Sequence, residues 1–302
     1  MKQLTDFSFL IPLLEQTGQK KKVALACPDD EHTVLVIAKA LENGFADFLL
    51  TLCKPIGRQL KSIMEHHADR VQAIGCADDV EAARKAVELV KDHKADILMK
   101  GSLNTDVLLR AALDKEHGIL EHGKVMTHIA MAQIPGHTKM LMFSDAAVIP
   151  RPSLEQFDAI VGYCADACHR LGIERPCIAL THFTEKTNPK FENTIHYQEI
   201  KRRAEAGAYG DVVVDGPMDV KTACDAESGT IKGICSPVVG NADVIVFPNI
   251  ESGNTFYKTI SLFSHATTAG WLAGTEVPVV VSSRADSVES KFHSLAFACC
   301  LS

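Results

Sequence analysis

Two polar segments stand where chemistry would be done. Asn249-Ile-Glu-Ser-Gly-Asn-Thr-Phe-Tyr-Lys258 follows the apolar run Asp243-Val-Ile-Val-Phe-Pro248, and Ser282-Ser-Arg-Ala-Asp-Ser287 follows Val277-Pro-Val-Val-Val281. Each gathers polar side chains at the carboxyl end of a predicted buried strand, where open α/β sheets bind their ligands. Arg284 offers a bidentate grip on phosphate or carboxylate. With the Ser283 hydroxyl beside it, a transferring phosphate and a developing oxyanion can both be stabilised, which is the requirement of acyl transfer. The structural alternative for Arg284 is an interdomain ion pair. In the first segment the candidates are Asn249, Glu251, Gly253, Asn254, Tyr257 and Lys258, with Gly253 and Asn254 expected closest to a ligand.

Three further turns carry polar groups. Lys100-Gly-Ser-Leu-Asn-Thr-Asp106 leads from a predicted strand into a helix. Gly101 lets the backbone approach a ligand, and Lys100, Ser102, Asn104 and Thr105 can donate to phosphate oxygens near a helix N-terminus. A plain βα turn with Ser or Asn as cap explains the same residues. The spacing is not that of a Walker loop, and no G-x-G-x-x-G occurs. Asp145 in Phe143-Ser-Asp-Ala-Ala147 can orient a partner or cap the next turn. Asp215-Gly-Pro-Met-Asp219 reads first as a turn built by Gly216 and Pro217.

The elements that would carry these groups alternate. Predicted strands at 22–27, 46–53, 71–75, 96–99, 139–144, 177–181, 211–215, 243–247 and 277–281 are separated by segments with apolar residues at three- and four-residue steps. That alternation predicts an α/β fold with a mostly parallel sheet covered on both faces. The 302 residues suit two domains. Pro150 and Pro152 mark a boundary, with Ser153, followed by Glu155 and Gln156, placed to cap a helix over 154–171. The expected division is a discontinuous first domain, 1–148 and 268–302, and an inserted second domain, 149–267.

Composition excludes several functions. A net charge of −7 with interspersed signs gives no basic stripe for nucleic acid or anionic membrane. The first fifteen residues lack a cleavage site and read as an amphipathic helix, so a cytoplasmic protein is expected. The ten cysteines lie mostly in apolar segments, the usage of small buried hydrophobes rather than of disulfides. Cys164 and Cys168 have no partner pair at zinc spacing, and no metal site is expected.

The motifs in order, K-G-S-x-N-T-D, T-H-I-A at 127–130, F-S-D-A-A, D-G-P, F-P-N-I-E-S-G-N-x-x-Y-K and S-R-A-D-S, resemble the phosphate acetyl/butyryltransferase family, its butyryl branch above all. The resemblance spans nearly the whole chain, weakest over residues 1–70 and 183–205. It implies a two-domain α/β fold akin to isocitrate and isopropylmalate dehydrogenases, with the active site in the interdomain cleft. It also implies reversible transfer of a short-chain acyl group, butyryl or branched-chain, between coenzyme A and inorganic phosphate. CoA, acyl-CoA, phosphate and acyl phosphate are then the partners, with no cofactor beyond CoA as substrate, and the enzyme is a homodimer. On this reading Ser283 bonds the carbonyl oxygen or thiol and Arg284 holds the phosphate. Thr127 and His128 join the substrate-binding set, though a structural role suits His128 equally.

The chain departs from the acetyl-type pattern. Seven positions after Ser283, where the acetyl enzymes carry a presumed base, stands Ser290, and Ser261 and Leu262 occupy the place of an arginine. The base is then one of Asp286, Glu251 and Asp145. If Leu262 borders the acyl pocket, a longer acyl group is favoured at about 0.8 kcal/mol per buried methylene. A phosphate acetyltransferase using acetyl-CoA and a non-catalytic binder of CoA or acyl phosphates are the alternatives. A decarboxylating dehydrogenase of the same fold would need an aspartate cluster for metal and a dinucleotide loop, and neither occurs at suitable spacing.

Overall fold

The computed structural model describes residues 4–18, 20–282 and 286–302. A short 3-10 turn, Phe7–Phe9, precedes α1 (Leu10–Thr17), β1 (Lys21–Ala26), α2 (Glu31–Glu42), β2 (Ala46–Leu52), α3 (Arg58–His66), β3 (Val71–Gly75), α4 (Asp79–Lys91), β4 (Ile97–Lys100) and α5 (Thr105–Ala112). Then come β5 (Thr127–Gln133), β6 (Leu141–Ser144), α6 (Leu154–Arg170), β7 (Cys177–Thr181), α7 (Glu192–Glu205), β8 (Val213–Met218), α8 (Val220–Cys224) and α9 (Ala226–Lys232). The chain closes with β9 (Val244–Val246), α10 (Ile250–Phe263), β10 (Thr267–Ala273), β11 (Val279–Val280) and α11 (Val288–Leu301). Among the described residues no helix is long and apolar enough to cross a membrane.

Contacts divide the chain into two compact units, one of Phe7–Met126 with Ala269–Ser302 and one of Thr127–Thr268 with the described residues up to Asp6. In the first, the strand order is β3-β2-β1-β4-β11-β10. All its pairs are parallel except β10 with β11. Val23–Ala26 and Ile97–Lys100 are buried without interruption, as expected of strands covered on both faces. Helix α11 packs on α1 and α2, and α4 packs on α5 and β1. Asp30 and Asp78 start α2 and α4 by accepting the backbone N–H groups of Thr33 and Glu81 at 3.0 and 2.8 Å.

The second unit has the order β5-β6-β9-β7-β8, parallel except for β5 with β6. Residues 127–148, placed by the sequence with the first domain, therefore sit here, because β6 pairs on one side with β5 and on the other with β9. The predicted capping box is present: Gln156 N–H donates to Ser153 Oγ at 3.3 Å and Ser153 N–H to Gln156 Oε1 at 2.9 Å. Gly216 and Pro217 do not make the predicted turn but lie inside β8. That strand is the last in its order, where proline's missing N–H is tolerated. Gly216, at φ 153°, is pressed against β7, so that an added Cβ would lie 2.4 Å from the Leu180 carbonyl oxygen. The Ser144–Asp145 and Gly216–Pro217 peptides are cis.

The amino ends of three of these strands are tied by one lysine. Lys139 Nζ, nearly buried, donates to the Asn241 carbonyl oxygen and to Asp243 Oδ1, both at 2.6 Å. The other Asp243 oxygen accepts Cys177 N–H at 2.8 Å. The starts of β6, β7 and β9 are thus held in register by charge-assisted bonds at the edge opposite the polar loops.

Candidate functional site

Two adjacent parallel strands of the first unit, β4 and β11, lead into the segments that carry its candidates, and β1 lies on the other side of β4. Gly101 must be glycine for contact with β1, since a Cβ there would lie 2.2 Å from the Cys27 carbonyl oxygen. Its N–H donates to Ala26 O and that of Ser102 to Cys27 O, both at 2.8 Å. Lys100 is buried, and Nζ donates to the carbonyls of Gly101 and Leu103 at 3.0 and 3.1 Å. It stiffens the turn it was expected to arm. The Ser102 hydroxyl donates to Asp29, which pairs with Lys54 at 2.9 Å. Asn104 occupies the N-cap position of α5 without a side-chain cap bond, and Thr105 opens the helix.

On the β11 side, Ser283 and Arg284 lie outside the described residues. The segment that contains them joins the carboxyl end of β11 to α11, whose N-cap Ser287 accepts Ser290 N–H at 3.1 Å. Asp286 is partly exposed, with its carbonyl oxygen 3.1 Å from His32 Nδ1. No motif points to Lys291, which is only 2% exposed and reaches Asp30 at 3.3 Å. Burial raises the Asp30 carboxyl, but bonds from Thr33 and then Lys291 outweigh it and hold the group below its ordinary value. A lysine on a mostly apolar terminal helix has no local pattern to betray its partner.

In the second unit, Asp145 follows β6 and is spent on its own turn. Its oxygens accept Thr127 Oγ1 at 2.8 Å, His128 N–H at 3.1 Å, and the N–H groups of Ala147, Val148 and Ile149 at 2.6, 2.8 and 3.3 Å. Thr127 and Asp145 are both buried. Thr127 and Asp145, expected to hold substrate or to supply the base, are thus bonded to each other and to the turn, and every strong acceptor position of the carboxylate is filled.

The segment read as the 249–258 loop is instead the start of α10. Asn249 is its N-cap and accepts Ser252 N–H at 2.9 Å. Gly253 faces the Asp145 turn so closely that a Cβ would lie 2.0 Å from the Asp145 carbonyl oxygen, and Asn254 Nδ2 donates to Ala146 O at 3.0 Å. These two residues, expected nearest the ligand, clamp helix to turn. Gly253→Ala is expected to destabilise the protein by about 1–3 kcal/mol through overpacking, which urea unfolding of the variant beside the parent would measure. One turn on, Tyr257 packs its ring 5.9 Å from Phe143 and 6.4 Å from His128, and Lys258 Nζ sits 4.7 Å over the Tyr257 ring.

The opposite side of α10 is open. Glu251, Ser252, Thr255, Phe256 and Thr259 line a cleft of about 610 Å³ with residues from the carboxyl ends of β7, β8 and β9. His182 and Asp219 are its other titratable members. Burial lowers the His182 pKa, favouring neutral imidazole. Asp219 caps α8 by accepting Thr222 N–H at 2.7 Å and pairs with Lys232. His182 was not anticipated, although the strand-end rule applied to 177–181 points to it. Leu262 is 67% exposed and is not among the lining residues, so the substitution that argued for a longer acyl group lies away from this cleft.

The site candidates thus form two sets: Lys100 to Thr105 with Asp286 at the strand ends of one unit, and Thr127, His128, Asp145 and Asn249 to Lys258 in the other. Comparison with known proteins agrees with the sequence motifs. The model of the phosphate acetyl/butaryl transferase family matches residues 60–299. Phosphate butyryltransferase of Clostridium acetobutylicum is 35% identical over 94% of each chain, and phosphate acetyltransferase of Thermotoga maritima 33% identical over 95% of this chain and 98% of that one. The crystal structure of a branched-chain phosphotransacylase from Enterococcus faecalis superposes with a TM-score of 0.81 at 31% identity, covering 93% of this chain and 98% of its own. With the family model covering most of its length and such relatives end to end, the chain belongs to the phosphate acetyl/butyryltransferase family.

Proposed function

We propose that the protein transfers a short-chain acyl group, butyryl or branched-chain, reversibly between coenzyme A and inorganic phosphate. The observation that carries this reading is kinship with a phosphate butyryltransferase over nearly the full length of both chains. The strand order is compatible with it, since β11, which the S-R-A-D-S motif follows in sequence, lies beside β4, which leads into the Lys100 to Thr105 turn. In the acyl phosphate-forming direction, phosphate held by Arg284 attacks the thioester carbonyl. Ser283 stabilises the developing oxyanion, and CoA leaves as thiolate or thiol. In reverse, the CoA thiol must lose a proton before attack. Asp145 is too fully engaged to take it, which leaves Glu251, open to the cleft, and Asp286 as bases.

A second reading, acetyl as the acyl group, draws on the Thermotoga maritima relative. The two separate on phosphate-dependent release of CoA thiol from acetyl-, butyryl- and isobutyryl-CoA under one set of conditions. The butyryl or isobutyryl thioester should be preferred in kcat/KM by about 10- to 200-fold, the range that one or two methylenes confer. A clear acetyl preference would overturn the acyl assignment alone. Tight CoA binding without thiol release from any thioester would overturn the transferase and leave a binding protein.

A further inference from the structure

Cys27, at the end of β1, Cys53, just past β2, and Asp79, the first residue of α4, follow one another at intervals of 26 residues. No local motif links them. In the folded unit Cys27 Sγ lies 3.3 Å from Cys53 Sγ, Cys53 Sγ 3.0 Å from Asp79 Oδ1, and Cys27 Sγ 3.8 Å from the same oxygen. We propose that this trio is a site for a thiophilic divalent cation of the zinc class, held by two thiolates and a carboxylate, with a fourth position open to water.

The triangle decides the matter first. Sides of 3.0, 3.3 and 3.8 Å place the donor atoms on a circle of about 2.0 Å radius. A point about 1 Å above that plane is then about 2.3 Å from all three, close to ordinary zinc–sulfur and zinc–oxygen lengths. The donor set decides the metal: two sulfurs suit zinc and its neighbours and repel magnesium and calcium, which demand oxygen. Among the described residues this is the group of His, Cys, Asp and Glu donors near enough to share one ion. The nearby lysine, Lys54, is paired with Asp29 at 2.9 Å. Cys27 also holds a left-handed φ of 54°, a conformation that non-glycine residues adopt where the surroundings enforce it.

A disulfide is the competing use of two nearby sulfurs. Asp79 speaks against it. Its Oδ1 lies 3.0 Å from Cys53 Sγ and 3.8 Å from Cys27 Sγ, a third donor aimed at both sulfurs that a disulfide leaves without a use and a shared cation takes up. A cation displaces both thiol protons to solvent and gives the carboxylate a partner.

The test uses the full-length protein, reduced, stripped with chelator and freed of it. Titration with Cd²⁺ should give a thiolate-to-metal ultraviolet band saturating at one ion per chain, and competition with a chromophoric chelator should give the Zn²⁺ affinity. Cys53→Ser should remove about half of the band, and Asp79→Asn should weaken Zn²⁺ by about 10-fold or more, since loss of even an outer-shell partner costs that much. Cys235→Ser, at an exposed cysteine outside the cluster, should change neither. Zn²⁺ should also raise the thermal midpoint of the parent by more than that of Asp79→Asn at the same Zn²⁺ concentration, a readout that stands if a cysteine variant fails to fold. Absence of a band, a band that survives loss of both cysteines, or a Cys27–Cys53 disulfide recovered in place of bound metal would overturn the proposal.

Discussion

Arg284→Ala should lower kcat/KM for the phosphate-dependent reaction by about 100-fold or more, with a higher KM for phosphate. A guanidinium that grips a phosphate through two charge-assisted bonds contributes more as charge redistributes during transfer than in the resting complex. Truncation therefore affects both substrate capture and the chemical step. Arg284→Lys is the informative companion. A point charge replaces the planar fork, so binding should recover only in part and geometry should not. Steady-state rates at varied phosphate, with acyl-CoA held saturating and then limiting, separate the two contributions. Kinetics like those of the parent would remove Arg284 from the site and return it to the ion-pair role weighed against this one.

Asp145→Ala should destabilise the protein by about 3 kcal/mol or more. The carboxylate accepts Thr127 Oγ1 and four backbone N–H groups. Removing it strands several of them out of water, at about 1–3 kcal/mol for each buried donor left unpaired. Asp145→Asn preserves the volume but turns a donor toward donors, so it should also lose stability. The urea midpoint and the thermal midpoint of each variant give the comparison. A general base would behave otherwise, since its amide variant keeps the fold and loses turnover. An Asn variant as stable as the parent and catalytically dead would reverse the structural assignment of Asp145.

Hydrophobic pattern made most of the α/β framework legible. Each predicted strand corresponds to an observed one, most of them because parallel strands covered on both faces are apolar runs, although β3, Val71-Gln-Ala-Ile-Gly75, is largely exposed. The two strands that went unread are β5, Thr-His-Ile-Ala-Met-Ala-Gln, and β10, Thr-Thr-Ala-Gly-Trp-Leu-Ala. Both make antiparallel pairs, and neither has a clean apolar run or strict alternation. Missing β5 moved the expected division to the prolines at 150 and 152, about twenty residues past the contact boundary at 126/127.

The opening of α10 was misread for a related reason. Ser252, Gly253, Asn254 and Thr255 are poor helix formers. The Asn249 cap and the burial of Ile260 overrule them. Side-chain polarity marked this segment for attention, yet polarity cannot distinguish a residue that faces a ligand from one that fastens helix to turn. Asp145, Gly253 and Asn254 fasten the α10 helix to the turn after β6, a contact that only the fold shows.

The lysine that fastens the amino ends of β6, β7 and β9 has a consequence for how such a protein changes over generations. Lys139, Asn241 and Asp243 set strand register at one edge, so register does not depend on the loops at the other. Mutation can then reshape the carboxyl-end loops without first paying in misaligned strands. Selection meets two separable problems at opposite rims of one sheet. A lineage built this way can vary those loops while its scaffold stays still.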